Sequence, residues 1–302
     1  MTDFLTACNA AVPTGLVQEQ EPMSRHTTFA AGGAARYYVT PGTMEELAQV
    51  IALCREQELA WMLLGKGSNL LVSDAGYDGV MISTAKLSEC RLDGDELYAE
   101  AGCSLAKLAG AAQRSGYTGL EFAAGIPGTL GGAVVMNAGA YGGEMKDVLT
   151  EVQVLTPEGE LVWIPAEQMD LGYRHSCVAE RGYAVLAAKM HLTAGDPVQI
   201  RATMEDLAAR RREKQPLEYP SAGSTFKRPE GYFAGKLIQD AGLRGFQVGG
   251  AQVSEKHCGF VINRDHATAT DIWELCRQVQ EKVREQFGVE LQLEVRTVGE
   301  FQ

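Results

Sequence analysis

The chain has 302 residues, and its 27 lysines and arginines against 39 aspartates and glutamates give a formal net charge of −12. Hydrophobic residues make up 45% of the chain and charged residues 22%, which excludes intrinsic disorder, and the length predicts more than one lobe. An acidic chain has no general attraction for a polyanion, so nucleic acid is not an expected partner. A local cluster of cations can still bind a small anionic substrate.

The apolar periodicity predicts an α+β chain. Strands are expected at 35–40, 61–65, 79–83, 96–102, 183–192, 259–263 and 289–296, with a hairpin at 151–165 that turns at Pro157-Glu158-Gly159. Helices are expected at 41–57, 104–116, after 197, at 233–241 and at 270–287. A composition shift at Gly195-Asp196-Pro197 predicts a domain boundary. The division is therefore 1–30, 31–196 with an internal break near 97–103, and 197–302.

Cysteine usage and the absence of targeting signals indicate the compartment. The seven cysteines are an odd number with no CxxC pair, which argues against a zinc ribbon and a disulfide framework, so we expect reduced thiols in a cytoplasmic protein. No signal peptide is recognisable, and His257 and His266 lack metal-ligand spacing, so no metal is expected. The uncharged stretch 122–143 is long enough to span a bilayer, but its seven glycines argue against a membrane helix.

Two glycine-rich segments carry the strongest signal for a ligand. Gly65-Lys66-Gly67-Ser68-Asn69 follows a buried strand, but Leu70 breaks the GxGxxG pattern and no long helix follows, which disfavours a Rossmann site. Alone, the loop fits a plain turn as well as a phosphate site. With the second segment, 122–143, it suits a diphosphate bound by backbone N–H groups, as in FAD held outside the Rossmann fold. Ser68, Asn69 and Asn137 add side-chain donors.

Polar residues further along the chain form compact clusters. Tyr173-Arg174-His175-Ser176 is expected in a loop, and Arg210-Arg211-Arg212 is interpreted as a solvated helix face. Ser224 with Lys227 and Arg228 fits either an ordinary loop or a site that orients an anionic substrate. Glu294 lies in a predicted strand, where a carboxylate either faces outward or serves as an inward functional acid.

In this order, these segments resemble the UDP-N-acetylenolpyruvoylglucosamine reductase family, whose members are also called UDP-N-acetylmuramate dehydrogenases. The resemblance covers almost the whole chain and is most specific in LLGKGSNLL, GIPGTLGGAVVMNAGAYGGE, YRHS, QPLEYPSAGSTFKRP, GLRGFQVGGAQVSEKHCGF and LEVR. It implies an FAD-binding domain of the vanillyl-alcohol-oxidase type in two subdomains, followed by a C-terminal substrate-binding domain. The implied reaction reduces the enolpyruvyl ether of UDP-GlcNAc with NADPH, yielding the cytoplasmic peptidoglycan precursor UDP-N-acetylmuramate.

The resemblance also assigns roles to individual residues. It implies catalytic roles for Arg174, Ser224 and Glu294, and substrate contacts by Tyr173, Lys214, Lys227, Arg228, Arg244 and His257. It implies contacts with non-covalent FAD by Gly65, Lys66, Gly67, Ser68, Asn69, Gly125, Ile126, Pro127, Gly128, Gly131, Gly132, Ala133, Asn137, Gly139 and Ala140. Too few residues separate Arg174 from the strand at Tyr183 for the long substrate-clamping loop of one family branch, so the chain is similar to the type II branch.

The implied mechanism has a physical basis. Hydride addition to the enolpyruvyl double bond leaves negative charge on the substrate, which Arg174 would stabilise. Ser224 would protonate the substrate as general acid, and a protonated Glu294 would donate a hydrogen bond to the enolate. Two other classes stay open: another flavoenzyme of the same fold, which oxygen consumption would identify, and a non-catalytic sugar-nucleotide binding protein, which would lack a flavin spectrum. The sequence leaves the oligomeric state open, a monomer included.

Overall fold

The computed structural model describes residues 3–301, which form helices and strands in runs of unequal length. The helices are α1 (Phe4–Ala11), α2 (Met44–Glu56), α3 (Leu105–Arg114), α4 (Leu130–Val135), α5 (Pro197–Lys214), α6 (Ala234–Asp240) and α7 (Ala269–Phe287). The strands are β1 (Leu16–Pro22), β2 (Ala34–Thr40), β3 (Trp61–Leu64), β4 (Leu70–Val72), β5 (Tyr77–Ser83), β6 (Cys90–Asp93), β7 (Glu96–Glu100), β8 (Tyr117–Thr118), β9 (Gly139–Ala140), β10 (Gly143–Glu144), β11 (Leu149–Leu155), β12 (Leu161–Pro165), β13 (Ala184–His191), β14 (Thr193–Ala194), β15 (Gln247–Val248), β16 (Ala251–Val253), β17 (Val261–Asn263) and β18 (Arg296–Val298).

The chain forms two compact units whose segments alternate along the sequence. The first unit contains the chain up to Gln18, Tyr37–Gly65 and Gly79–Arg211, and the second contains Glu19–Arg36, Lys66–Asp78 and the chain from Arg212 on. The division drawn from the sequence has no such interleaving. Contacts between segments that are far apart in the chain cause no change in local composition. A boundary predicted from composition therefore cannot show that the segments of the two units alternate.

The first unit is built on an antiparallel sheet of five strands in the order β12-β11-β13-β7-β6. The predicted hairpin at 151–165 is confirmed, since β11 pairs with β12 and Leu155 lies opposite Leu161. The buried side chains of Leu105 and Leu108 from α3 and of Val134 from α4 belong to the same apolar core as this sheet. Core packing thus fixes the glycine-rich segment that contains α4.

A four-stranded sheet has the order β1-β2-β5-β3, and β3 pairs in parallel with β5 from Val80 to Ser83. Helix α2 contributes buried Leu47, Val50 and Ile51 to a core of the first unit that also includes Ile82. The spacing of these residues along α2 is that of one helical face, which is why the periodicity predicted a helix there.

The second unit packs α6 and α7 with the antiparallel sheet β15-β16-β17. Helix α7 begins with a capping box between Thr268 and Asp271 and is capped at its C-terminus by Gly288, whose φ of 68° favours glycine. Strands β4 and β18 form a parallel pair, with Leu70 opposite Arg296. This pair joins the loop before Leu70 to the C-terminal segment.

The expectation of a regular final strand was wrong. The strand was predicted at 289–296, but the structure has only an isolated bridge between Phe226 and Leu293 and then β18, so Glu294 lies at a bend.

The uncharged segment 122–143, whose glycines argue against a membrane helix, contains the six-residue helix α4. Tertiary packing holds α4 in place: Leu130 is fully buried, and a Cβ on Gly131 would lie 3.0 Å from that of Ala101, so glycine permits close packing.

Candidate active site

Thr225 organises the polar residues of the second unit. It is 1% exposed, and its carbonyl oxygen accepts a hydrogen bond from the Glu294 N–H at 2.8 Å. On its other side the Thr225 N–H donates to the Gly259 carbonyl at 2.9 Å, and its hydroxyl accepts from the Val261 N–H at 2.9 Å. Ser224, the preceding residue, is exposed. Ser224 and Glu294 are therefore brought onto adjacent segments, and Thr225, which the sequence analysis did not single out, fixes them there.

The first glycine-rich loop also meets Glu294. The Asn69 side-chain amide donates to the Glu294 carbonyl at 3.1 Å, and the Arg296 N–H donates to the Asn69 carbonyl at 3.0 Å. Both bonds extend the parallel pairing of β4 with β18. A predicted cofactor loop and a predicted catalytic acid, 225 residues apart in sequence, are thus neighbours within one unit.

Gly67 shows why this loop requires glycine. Its φ is 58°, and an added Cβ would lie 2.0 Å from the His26 carbonyl oxygen. The Gly67 carbonyl oxygen accepts a hydrogen bond from the Thr28 N–H at 3.1 Å, which holds the loop against residues 26–28. Any side chain at this position would therefore strain the backbone and separate the two segments.

His257 lies between two glycines of the second unit. A Cβ added to Gly235 would lie 3.3 Å from the His257 Cε1 atom, and a Cβ added to Gly259 would lie 3.0 Å from the same atom. The His257 Nδ1 atom accepts from the Gly259 N–H at 3.1 Å, so the neutral ring carries its proton on Nε2. Burial lowers the pKa of His257, which keeps the ring neutral at pH 7. The ring can therefore act as a hydrogen-bond donor without adding charge.

The cations expected to bind substrate differ in their surroundings. Lys214 and Arg228 are exposed, and Lys227 is half-buried. The Arg228 guanidinium carbon lies 4.0 Å from the centroid of the Phe233 ring, and its Nε donates to the Tyr232 carbonyl at 3.3 Å. These contacts hold the guanidinium in one orientation, which a residue that recognises an anion needs.

Arg244 has protein partners at both ends of its guanidinium. Nη1 donates to the Glu255 carbonyl, and Nη2 donates to the Gln239 side-chain oxygen at 2.7 Å. Arg244 is exposed, and these bonds fasten the loop after α6 to the segment after β16. Its contact with substrate stays a prediction.

In the first unit, Tyr173 and Arg174 form the tip of a tight turn. The Gly172 N–H donates to the His175 carbonyl at 3.1 Å, and the His175 N–H donates back to the Gly172 carbonyl at 3.2 Å. Arg174 has a φ of 53°, a conformation uncommon outside glycine and frequent at functional sites. Its guanidinium carbon lies 5.1 Å from the Tyr173 ring centroid. The turn presents the predicted catalytic arginine at its apex.

Asn137 anchors this turn. It is 1% exposed, and its amide nitrogen donates to the Glu144 carboxylate at 2.8 Å and to the Gly172 carbonyl at 3.1 Å. Its side-chain oxygen accepts from the Lys146 N–H at 2.9 Å. Both amide hydrogens are therefore used within the protein, and the contact of Asn137 with the flavin stays a prediction. Asn137 positions the turn that carries Arg174.

The two glycine-rich segments meet in the first unit at Gly65. An added Cβ at Gly65 would lie 2.3 Å from the Thr129 hydroxyl oxygen, so the end of β3 lies directly against the start of α4. Gly125 and Gly139 have no side chain to cover the backbone N–H groups and carbonyls of this segment. The paired-loop prediction is thus supported by a close approach that only glycine allows.

Among the described residues, two buried polar side-chain atoms have no hydrogen-bond partner, Thr28 Oγ1 in the second unit and Arg211 Nε in the first. Thr28 contacts Gly67 through its backbone N–H, and the Arg211 side chain lies against Gly125. Buried polar atoms in native proteins nearly always have partners, so an exception needs an explanation. In the first unit, the Arg211 guanidinium N–H and the glycine-rich backbone beside it are donors that suit the oxygen atoms of FAD, and the residues present there therefore fit this cofactor.

Among residues 3–301, none of the helices has the length and apolar character required to cross a membrane. Within the same range, no group of three or more His, Cys, Asp and Glu side chains is arranged to hold a metal ion. The seven cysteines are free thiols, and six of them are buried.

Comparison with known proteins assigns both halves of the chain. A family model described as an FAD binding domain matches residues 35–165, and a model of the C-terminal domain of UDP-N-acetylenolpyruvoylglucosamine reductase matches residues 215–298. The chain is 52% identical over 300 residues to the UDP-N-acetylenolpyruvoylglucosamine reductase of Agathobacter rectalis, with 95% of each chain covered.

Solved structures give the same result. The reductase of Thermus caldophilus superposes with a TM-score of 0.81 at 35% identity, and the match covers 94% of this chain and 99% of that one. A Phl p 4 variant that is a glucose oxidase superposes with a TM-score of 0.51 at 16% identity over 65% of this chain and 45% of that one. That second likeness concerns the fold alone. The predicted α+β fold, an FAD-binding domain followed by a C-terminal domain, is confirmed.

Proposed function

The chain belongs to the UDP-N-acetylenolpyruvoylglucosamine reductase family, and we propose that it reduces UDP-N-acetylglucosamine enolpyruvate to UDP-N-acetylmuramate with NADPH, supplying a cytoplasmic peptidoglycan precursor. It is an oxidoreductase with FAD as its cofactor. The observation that carries the proposal is the arrangement around Thr225, which brings Ser224, Glu294 and Asn69 together. These are an exposed hydroxyl, a carboxyl group and the predicted cofactor loop, the groups that this reduction requires.

The substrate suits the charges of the second unit. It carries a diphosphate and a carboxylate, and the chain as a whole is acidic, so recognition depends on local cations. Lys214, Lys227 and Arg228 lie in the second unit, and Phe233 already orients the Arg228 guanidinium. We assign the diphosphate to these cations and a hydrogen bond from neutral His257 to an uncharged part of the substrate.

Each catalytic residue has a distinct task. Bound FAD supplies the hydride that reduces the enolpyruvyl double bond. Arg174, fixed at the tip of its turn, offers a permanent cation to the enolate charge that develops on the substrate. Ser224 gives its proton to the substrate carbon as general acid. Glu294, in its protonated form, donates a hydrogen bond to the enolate, which requires a raised pKa for this carboxyl.

The bend at Glu294 supports this assignment. In the predicted regular strand, its side chain would alternate with its neighbours between two faces. Instead the Glu294 N–H bonds to Thr225 and its carbonyl oxygen accepts from Asn69. Glu294 as a residue is half-buried at this junction, where solvent competes less with a hydrogen bond to substrate.

The rival function is oxidation by a related flavoenzyme, since the fold is shared with a glucose oxidase. The test is anaerobic incubation of the purified yellow protein with UDP-N-acetylglucosamine enolpyruvate and NADPH, followed by mass spectrometry of the nucleotide sugar. We expect a product heavier by two hydrogens, formed only when both compounds are present. A separate aerobic incubation tests the rival: oxygen consumption with a simple sugar, together with no reduced product in the anaerobic incubation, would support it. A parallel acid precipitation should release FAD to the supernatant, because the cofactor is not covalently attached.

A further inference from the structure

Arg211 differs from the two arginines beside it in the last turns of α5. Arg210 is exposed, and its Nη2 pairs with the Asp206 carboxylate at 2.8 Å on the same helix. Arg212 is also exposed. Both fit the solvated helix face predicted for this cluster, but the Arg211 Nε atom is buried and has no hydrogen-bond partner. Successive helix residues point about 100° apart, so one of three consecutive cations can face inward while its neighbours do not.

The Arg211 side chain lies against the second glycine-rich segment. An added Cβ at Gly125 would lie 3.3 Å from the Arg211 Nη1 atom and 3.4 Å from its Cδ atom. The glycine leaves the guanidinium room beside the backbone, which a side chain at position 125 would crowd. Gly125 begins the run to which the resemblance assigns flavin contacts, so the cation is placed at a predicted cofactor surface.

A cation in this position needs an anionic or strongly polar partner. Within the described part of the chain, Arg211 makes no ion pair with an acidic side chain. Burial lowers the pKa of Arg211, and the hydroxyl of Tyr141 acts in the opposite direction. Taking a guanidinium out of water is costly unless its donors are satisfied. Tyr141 is itself 50% exposed, which makes it a weak substitute for a fixed anion.

We propose that Arg211 is a cofactor-binding residue whose guanidinium donates from Nε to an oxygen atom of bound FAD. This inference rests on the proposed assignment of the segment from Gly125 to Gly143 to the cofactor. It explains the unpartnered donor, the glycine at 125 and the difference between Arg211 and its two neighbours. The accepting oxygen belongs either to the diphosphate or to the pyrimidine carbonyls of the flavin ring, and these share the same hydrogen-bond chemistry.

The test compares Arg211→Gln with the matched control Arg210→Gln, which removes an exposed cation one residue away. Purified holoenzymes are diluted, and release of FAD is followed by the rise of flavin fluorescence. We expect about 10- to 100-fold faster release from Arg211→Gln, the effect of losing a charge-assisted hydrogen bond. Arg210→Gln should behave like the wild type. Arg211→Lys, which keeps the charge but lacks Nε, should also release FAD faster and serves if the glutamine variant does not fold.

The midpoint potential of the bound flavin identifies the accepting oxygen. Reduction adds negative charge to the pyrimidine ring, so a contact there makes the potential of Arg211→Gln more negative, by about 30 mV for each tenfold loss of preference for the reduced form. A contact with the diphosphate leaves the potential unchanged while release accelerates.

Either result supports the proposal. Wild-type release and potential in both Arg211 variants would overturn it, and so would a raised KM for the UDP-sugar as the sole change, since that would assign Arg211 to the substrate. Formation of product by the wild-type enzyme tests the proposed function separately, whatever the Arg211 variants show.

Discussion

Replacement of Asn137 by alanine tests whether one buried amide holds the turn of Arg174. The side chain makes three hydrogen bonds, to Glu144, Gly172 and Lys146, at 2.8, 3.1 and 2.9 Å. Asn137→Ala removes all three hydrogen bonds of a side chain that is 1% exposed. Alanine must also adopt the φ of 38° that asparagine tolerates.

The expected loss of stability follows from these contacts. Two neutral hydrogen bonds contribute about 1 kcal/mol each, and the bond to the Glu144 carboxylate contributes about 1.5–3 kcal/mol. The left-handed backbone costs alanine about 1–2 kcal/mol more. A total of about 4–7 kcal/mol is an upper range, because side-chain rearrangement recovers part of it. At about 2–4 °C per kcal/mol for a unit of this size, the Tm should fall by on the order of 10 °C or more.

The assay is thermal unfolding of the holoenzyme followed by circular dichroism, together with the rate of substrate reduction. The control is Asn9→Ala, which removes one exposed hydrogen bond of 2.8 Å from α1. We expect a small change in Tm for the control, and for Asn137→Ala both a large fall in Tm and slower substrate reduction at temperatures where the protein is folded. A Tm within about 2 °C of the wild type would show that the three hydrogen bonds contribute little, and would refute the reasoning.

Three further predictions concern single side chains. The hydrogen bond from the Cys103 thiol lowers the pKa of Cys90 to about 7 against the effect of burial. The rate of Cys90 alkylation, measured by peptide mass spectrometry, should therefore increase as the pH rises through 7, and it should be lower in Cys103→Ala. Equal rates in the variant and the wild type would contradict this. Burial acts to raise the pKa of Glu46, but hydrogen bonds from a neighbouring hydroxyl and two backbone N–H groups outweigh it and lower that pKa, so Glu46 stabilises the fold above its unfolded pKa. Glu46→Gln should therefore lower the free energy of unfolding, measured in urea at pH 7, by about 1–3 kcal/mol. The difference from the wild type should disappear as the pH falls below about 4, and a difference that does not depend on pH would refute the role of ionisation. Arg228→Ala should raise the KM for the UDP-sugar about tenfold with kcat nearly unchanged. The control Arg277→Ala, at an exposed arginine, should change neither constant. An unchanged KM in both variants would place the diphosphate elsewhere.

Apolar periodicity predicted many of the longer regular elements, and the alternation on both sides of residues 157–159 predicted the hairpin of β11 and β12. Ser104 and Thr43 cap α3 and α2, as their residue types allow. These features are local, so a single sequence contains them. The glycine-rich helix α4 was not anticipated, because its stability comes from burial of Leu130 in a core formed by distant strands.

The site was predictable in its residue types and not in its connections. The motifs singled out Ser224, Asn69 and Glu294, but nothing local indicates that Thr225 joins them, since its partners are more than 30 residues away. The same holds for the direction of Arg211, because three consecutive arginines have the same charge and differ only in which way the helix turns them. Side-chain direction is decided by tertiary packing, and a lone sequence does not record it.

The most direct test of the central claim, that Ser224 gives the proton that completes reduction, separates the two half-reactions by stopped-flow absorbance. Ser224→Ala keeps the size of an exposed position and removes only the hydroxyl, so folding and FAD binding should be intact. Bleaching of the yellow colour by NADPH should proceed at the wild-type rate, because flavin reduction needs no proton on the substrate carbon. Recovery of the colour on adding UDP-N-acetylglucosamine enolpyruvate should slow by about 10²–10⁴-fold, the usual effect of losing a general acid. Equal slowing of both phases, or of neither, would contradict the account and make Ser224 a structural residue of its loop.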